Sequence, residues 1–418
     1  MLSQLLANCT ASLIPFPTVV GAEFLSVQAS PVSNYSLNLP ASYEYLIGDV
    51  DTTNLSFCNV TLTHTHPGHN DTVITQAWLP VQPAWNNRFQ AVGGGQWSAG
   101  LDSNAYLAMT VAVAGGFATV TTNGGVPSSD PDDWALLSPG NVNVHALEDF
   151  ASVALKDSTL AAKSVIQSFY GQSARYSYWR GCSQGGRQGL MFAQKYPDVF
   201  DGILAAAPAI YSQFLVAAQF PQQVMNEMGQ YPHPSEIDAL TTAAIAACDG
   251  LDGVVDGIIS NPDACHFDPY TLVGTPLNGS SCSNSMTISK AAARVADAAW
   301  NNARSANGSF LWYTPGYSAN LTASGSIAET TCSNCTSCQG ETIEMVTDEI
   351  RLFVEKNPNF NVSAMSRRDF ERALHTAAHE YDSIIGTSSP DLAGFRKAGG
   401  KMITYHGLVC PPLPTLHA

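Results

Sequence analysis

The 418-residue chain is 45% hydrophobic and only 12% charged, with a formal net charge of −16. That length and apolar content support one large domain with an elaboration. The acidic balance leaves no basic stripe for phosphates, which argues against a nucleic-acid partner, and no apolar run is long enough to span a bilayer.

The amino end, "MLSQLLANCTASLIPFP", lacks both the basic start and the sustained apolar run of a signal peptide. Two other features point to the secretory route. Ten cysteines occupy positions 9, 58, 182, 248, 265, 282, 332, 335, 338 and 410. The run Cys332, Cys335, Cys338 lacks a fourth ligand in step, so disulfides are expected rather than zinc. Asparagines 8, 34, 54, 59, 70, 278, 307, 320, 334 and 361 each open an N-x-[ST] sequon. An extracellular, disulfide-bonded glycoprotein is the expectation.

From about residue 40 to 210, short β-type runs alternate with helical patterns, as in an α/β sheet. "THTHPGHN" (63–70), with His64, His66 and His69, reads as a polar turn between strands rather than a metal site. Strands are predicted at 72–80, 87–95 and 115–123, and one long helix at 145–171 with Gly171 as its stop. "RYSYWRG" (175–181) reads as a buried strand, 185–197 as a helix and 200–208 as the next strand.

Between that strand and helix, "RGCSQGGRQGL" sets Ser183 in a G-x-S-x-G frame. A strand, a sharp turn and a helix make a nucleophile elbow. Small residues at Gly181 and Gly185 let strand and helix approach, and the serine hydroxyl stands at a helix N-terminus, where negative charge is favoured. The Gln184 backbone N–H would be one oxyanion donor. "GGGQWSAG" (93–100) offers the second, Gly95, because consecutive glycines can turn amides toward a reacting carbonyl.

From 211 to 389, helical stretches alternate with Pro-, Asn-, Ser- and Cys-rich loops, which reads as one long insertion. In it, "CDGLDGVVDG" sets Asp249, Asp252 and Asp256 at short intervals among glycines. Three close carboxylates need a hard cation or solvent between them, and an Asp/Gly turn facing water serves equally well. His375 and His379 read as a helix face. Phe310, Trp312 and Tyr313 either line a phenolic pocket or pack a core. Sheet-type text resumes at 391–408 as a helix, a glycine stop and a strand.

These stretches together resemble the fungal tannase and feruloyl esterase family of secreted serine esterases. The resemblance rests on residues 178–209, 93–100, 248–265 and 391–408. It implies an α/β-hydrolase core, 1–210 and 390–418, with a large lid inserted at 211–389. It implies calcium in the acidic loop, held by Asp249, Asp252 and Asp256 with the carbonyls of Val254 and Ile258, to rigidify the lid. It implies the disulfides Cys9–Cys58 and Cys248–Cys265, and a structural role for Cys182 as partner of a cysteine beside the catalytic histidine. The substrate class it implies is an aromatic, phenolic acyl ester, with no nucleic acid or membrane as partner.

Such an esterase needs a histidine to take the serine proton and an acid to orient it. Family members carry an aspartate just after the last strand read above, and later a His-Cys pair. Here the text runs "HGLVCPPLPTLHA", with Val409 and Cys410 where the aspartate would stand. The expectation is therefore a core incomplete at its carboxyl edge. It would keep nucleophile, oxyanion loop and lid, with His417 as a remote substitute for the base and Cys410 as a remote substitute for the lost partner of Cys182. The competing readings are a non-catalytic phenolic- or glycan-binding protein and an incomplete gene model.

Overall fold

The computed structural model describes residues 6–40, 50–277, 286–335 and 337–407. The chain divides into two compact units. One takes the residues up to Tyr211 together with Ser383–Tyr405, and the other contains Ser212–Asp382. The reading at 390 thus sits a few residues late, because the return to the first unit begins in the irregular stretch before the last helix.

The first unit is built on an eight-stranded sheet: β1 (Glu23–Tyr35), β2 (Leu55–Thr65), β3 (Val73–Gln82), β4 (Arg88–Val92), β5 (Ala118–Thr122), β6 (Tyr176–Cys182), β7 (Gly202–Ala206) and β8 (Lys401–Tyr405). Their spatial order is β1-β2-β3-β5-β4-β6-β7-β8. β1, β2, β3 and β5 pair antiparallel in sequence of position, and β5, β4, β6, β7 and β8 are mutually parallel. A parallel run needs crossovers, and helices α1 (Ser103–Ala114), α2 (Val144–Ala151), α3 (Val153–Tyr170), α4 (Gln184–Lys195) and α5 (Ala393–Lys397) supply them. β8 is the sheet's edge strand. Its Ile403 is 67% exposed and its Tyr405 56%, unlike the buried side chains of β5.

α1 begins where Asp102 accepts a hydrogen bond from Ala105 N–H at 2.8 Å. Its Ala105, Met109 and Val113 pack with Leu55, Phe57, Trp78 and Val92 in one cluster. Phe57 stacks on Trp78 at 4.5 Å. Burial of each large side chain there contributes roughly 1.5–3 kcal/mol.

The single helix predicted at 145–171 is two helices, broken at Ser152, whose φ of −160° leaves helical space. Apolar periodicity continues across the break, which is why the sequence conceals it. Gly171 does end α3, at φ 73°.

The turn predicted at 63–70 between two strands is present at 67–69, between β2 and β3, but His64 and His66 do not lie on a solvated loop. His64 ends in the sheet with no exposure, between Phe24 and His66, and burial pulls its pKa down to about 4. His66 is 4% exposed, and Asp149 and Asp157 hold its pKa up to about 10. Both carboxylates lie far along the chain, so local composition gave no sign of them.

The second unit is mainly helical, with Phe220–Met228, Pro234–Cys248, Lys290–Trp300 and Arg367–Tyr381 as its longer helices. His375 and His379 lie exposed on the last of these. Bridges join Cys9 to Cys58, Cys248 to Cys265 and Cys332 to Cys338. Among the described residues no helix is long and apolar enough to cross a membrane.

Candidate active site

Ser183 sits between the end of β6 and the first residue of α4, with φ 59° and ψ −115°. A serine adopts that backbone only where neighbours hold it, and here three hydrogen bonds do. Ser183 N–H donates to Ala206 O at 3.0 Å, while Ser183 O accepts from Arg187 N–H at 3.0 Å and Ala209 N–H at 3.2 Å. The residue is half-buried, not lost in packed side chains.

The glycines are required by contact. A Cβ on Gly181 would lie 2.3 Å from the Gly185 backbone, and one on Gly93 would lie 2.6 Å from Gly185 Cα. The triple-glycine loop is therefore pressed against the start of α4. Gly185 N–H donates to Gly94 O at 3.0 Å, and Gly94 N–H donates to Gln188 Oε1 at 3.2 Å. Gln188 Nε2 reaches on to Ala99 O at 3.1 Å. The loop turns at Gly95, whose carbonyl accepts from Ser98 N–H at 2.9 Å. Gln184 is the first residue of α4, so its N–H is among those that have no intrahelical acceptor.

Sequence reasoning missed Arg187, one turn into α4. It is wholly buried, and burial lowers its pKa to about 9. Its Nε donates to Gln184 Oε1 at 2.8 Å, and Nη1 donates to Ala151 O at 3.0 Å and Ile385 O at 3.3 Å. The guanidinium thus fixes the residue after Ser183 and caps α2 at its break. Only the fold brings those acceptors together.

In the second unit, Asp249, Asp252 and Asp256 fall in one tight loop closed by Cys248–Cys265. Asp249 is buried and accepts from the N–H groups of Asp256 and Gly257 at 3.0 Å. Asp252 and Asp256 are exposed and accept from Val254 and Ile258 N–H at 2.8 and 3.0 Å. Those bonds occupy one oxygen of each exposed carboxylate. Cys410 and His417 lie outside the described residues, as does Cys282.

A family model described as "Tannase and feruloyl esterase" matches residues 58–418. The chain belongs to the tannase and feruloyl esterase family. A "Probable feruloyl esterase" of Arthroderma benhamiae is 39% identical over 410 residues, covering 97% of this chain and 73% of the relative. Among solved structures, the tannin acyl hydrolase from Aspergillus niger superposes with a TM-score of 0.83 at 28% identity, covering 99% of this chain and 76% of that one. Feruloyl esterase B from Aspergillus oryzae gives 0.72 at 27% identity, covering 96% and 74%. The fold of this family member is accordingly that of an α/β-hydrolase, and its relatives are carboxylic ester hydrolases.

Proposed function

We propose that this chain is a secreted serine esterase for aromatic acyl esters, with Ser183 as the acylated nucleophile. The observation that carries the reading is the strained Ser183 backbone at the head of α4, with the Gly93–Gly95 loop packed against Gly185. Attack by the Ser183 hydroxyl on the ester carbonyl would place negative charge on the carbonyl oxygen. The N–H groups of Gln184 and Gly95, with the positive end of α4, would stabilise that charge. Collapse of that intermediate would break the ester C–O bond, the alcohol leaving with the proton lost by the serine, and water would then hydrolyse the acyl-serine, freeing the acid and restoring the hydroxyl.

The acidic loop would hold calcium through Asp249, Asp252 and Asp256 with the carbonyls of Val254 and Ile258. Its contribution is rigidity, not chemistry. The disulfides Cys9–Cys58, Cys248–Cys265 and Cys332–Cys338 and exposed sequon asparagines, Asn70, Asn307 and Asn361 among them, support a secreted glycoprotein.

Among the described residues no histidine hydrogen-bonds the Ser183 hydroxyl. A serine without its base is a poor nucleophile. The 418-residue chain alone is therefore proposed to turn over about 10⁴-fold more slowly than an enzyme with its triad complete. That observation also favours a second reading, a phenolic-binding pseudo-esterase. Release of ferulate or gallate from their methyl esters by the purified chain tests both. Weak turnover lost in Ser183→Ala supports the esterase. Binding of an ester analogue with turnover identical in Ser183→Ala supports the binding protein and removes Ser183 from any catalytic role.

A further inference from the structure

A second cluster lies in the first unit, near the carboxyl end of β5, with Asp149 contributed by α2. His66 stands at its centre. Its Nε2 donates to Asp157 Oδ2 at 3.1 Å, and Asp157 Oδ1 is paired with Lys156 Nζ at 2.8 Å. Nδ1 faces the other way, 2.7 Å from Asp71 Oδ2 and 3.4 Å from Asp149 Oδ1. Asp71 is set in place by its second oxygen, which accepts from His66 N–H and Thr65 Oγ1, both at 2.8 Å.

Two polar groups here have no hydrogen bond. Asp149 is 1% exposed, and neither of its carboxylate oxygens has a hydrogen-bond partner among the described residues. A buried carboxylate in that state is costly unless a positive charge sits beside it. His69 Nδ1 is likewise buried and unpartnered, in a ring fixed by stacking on His145 at 4.0 Å. One donor atom each from His66, His69 and Asp149 falls within 4.8 Å of the others. Beside them opens a cavity of about 270 Å³, lined in part by His69, Asp71, Asp133 and Asn143.

The geometry points to a binding site for a borderline divalent transition-metal ion of the zinc type, held by His66, His69 and the carboxylate of Asp149, with Asp71 beside them. Donor chemistry argues for that class, since paired imidazoles with carboxylates suit zinc and its neighbours rather than calcium. The outer shell is built as well. A ligating histidine typically donates its other N–H to a carboxylate, as His66 does to Asp157. Charge agrees: Asp71, Asp149 and Asp157 carry three negatives and Lys156 returns one, leaving two for a dication. Tetrahedral bonds of roughly 2.0–2.2 Å need donors about 3.3–3.6 Å apart, so side-chain rotation of about 1 Å closes the set. The cavity admits the ion and leaves room for water.

The rival state is a proton on His66 in place of the ion, and titration of the untagged, full-length chain separates the two. After treatment with dipicolinate and dialysis, the wild type is expected to take up one equivalent of Zn²⁺ that excess Ca²⁺ does not displace. Co²⁺ in its place is expected to give visible d–d bands. His69→Ala, folded by circular dichroism, is expected to bind at least 10-fold more weakly, while Asp252→Asn in the acidic loop binds Zn²⁺ as wild type does. Uptake well below one equivalent, a wild-type chain without Co²⁺ bands, or equal Zn²⁺ affinity in folded His69→Ala would each overturn the site. Should His69→Ala fail to fold, the wild-type stoichiometry and Co²⁺ spectrum decide alone.

Discussion

Single side chains in this protein are held in states that water would not allow, and Glu349 is the clearest. It opens the π-helical turn Glu349–Val354, wholly buried, and burial with the neighbouring Asp348 charge pushes its carboxyl up to about 8. In the unfolded chain the same group loses its proton near 4.5. Between those values the native state binds one more proton than the unfolded state, so stability falls as pH rises from about 4.5 to about 8. Glu349→Gln keeps the shape and removes the proton. Urea unfolding at pH 5 and pH 8 is expected to show a wild-type loss on the order of a few kcal/mol that the variant lacks. Equal losses in both proteins would mean the carboxyl is ionised in the fold. Ser183 is the comparable case in the backbone, and it was legible because a G-x-S-x-G frame announces its own geometry. Glu349 was not, since nothing in "VTDEIRLFVEK" distinguishes its carboxyl from those of Asp348 and Glu355.

At the scale of elements, strands were readable where the text is β-branched or apolar, as in "ATVTT" of β5 and "GILAA" of β7. Helix continuity was not readable at Ser152, beside which a guanidinium from α4 hydrogen-bonds the Ala151 carbonyl. Arg187 spans the Gln184 side chain, the end of α2 at Ala151 and the returning segment at Ile385. A planar fork can serve three acceptors in different directions, and an ammonium on a flexible stem cannot. Arg187→Lys keeps the charge, buries it and leaves carbonyls unpaired. Denaturant titration is expected to show a loss of about 2–4 kcal/mol. A variant within 0.5 kcal/mol of wild type, roughly the spread of neutral surface changes, would show that the guanidinium's hydrogen bonds contribute little.

For the whole molecule, the division into two units was visible in composition, because strand-type text stops near 211 and returns near 391. How the second unit is stabilised was less visible. Its acidic loop reads equally well as a solvated turn, and what weights the balance is the pairing seen in the fold. Asp249 is spent on the backbone N–H groups of Asp256 and Gly257, while Asp252 and Asp256 stay exposed. Cys248–Cys265 already restrains this stretch, so a cation adds to a loop that is partly ordered before binding. Its linkage follows mass action: calcium at 100 times its dissociation constant adds about 2.7 kcal/mol to the native state. Differential scanning calorimetry of the wild type is expected to show a transition that EGTA moves down and added Ca²⁺ restores. In Asp252→Asn the same transition is expected to start low and to ignore EGTA. Transitions insensitive to EGTA in the wild type would return the loop to the solvated Asp/Gly turn.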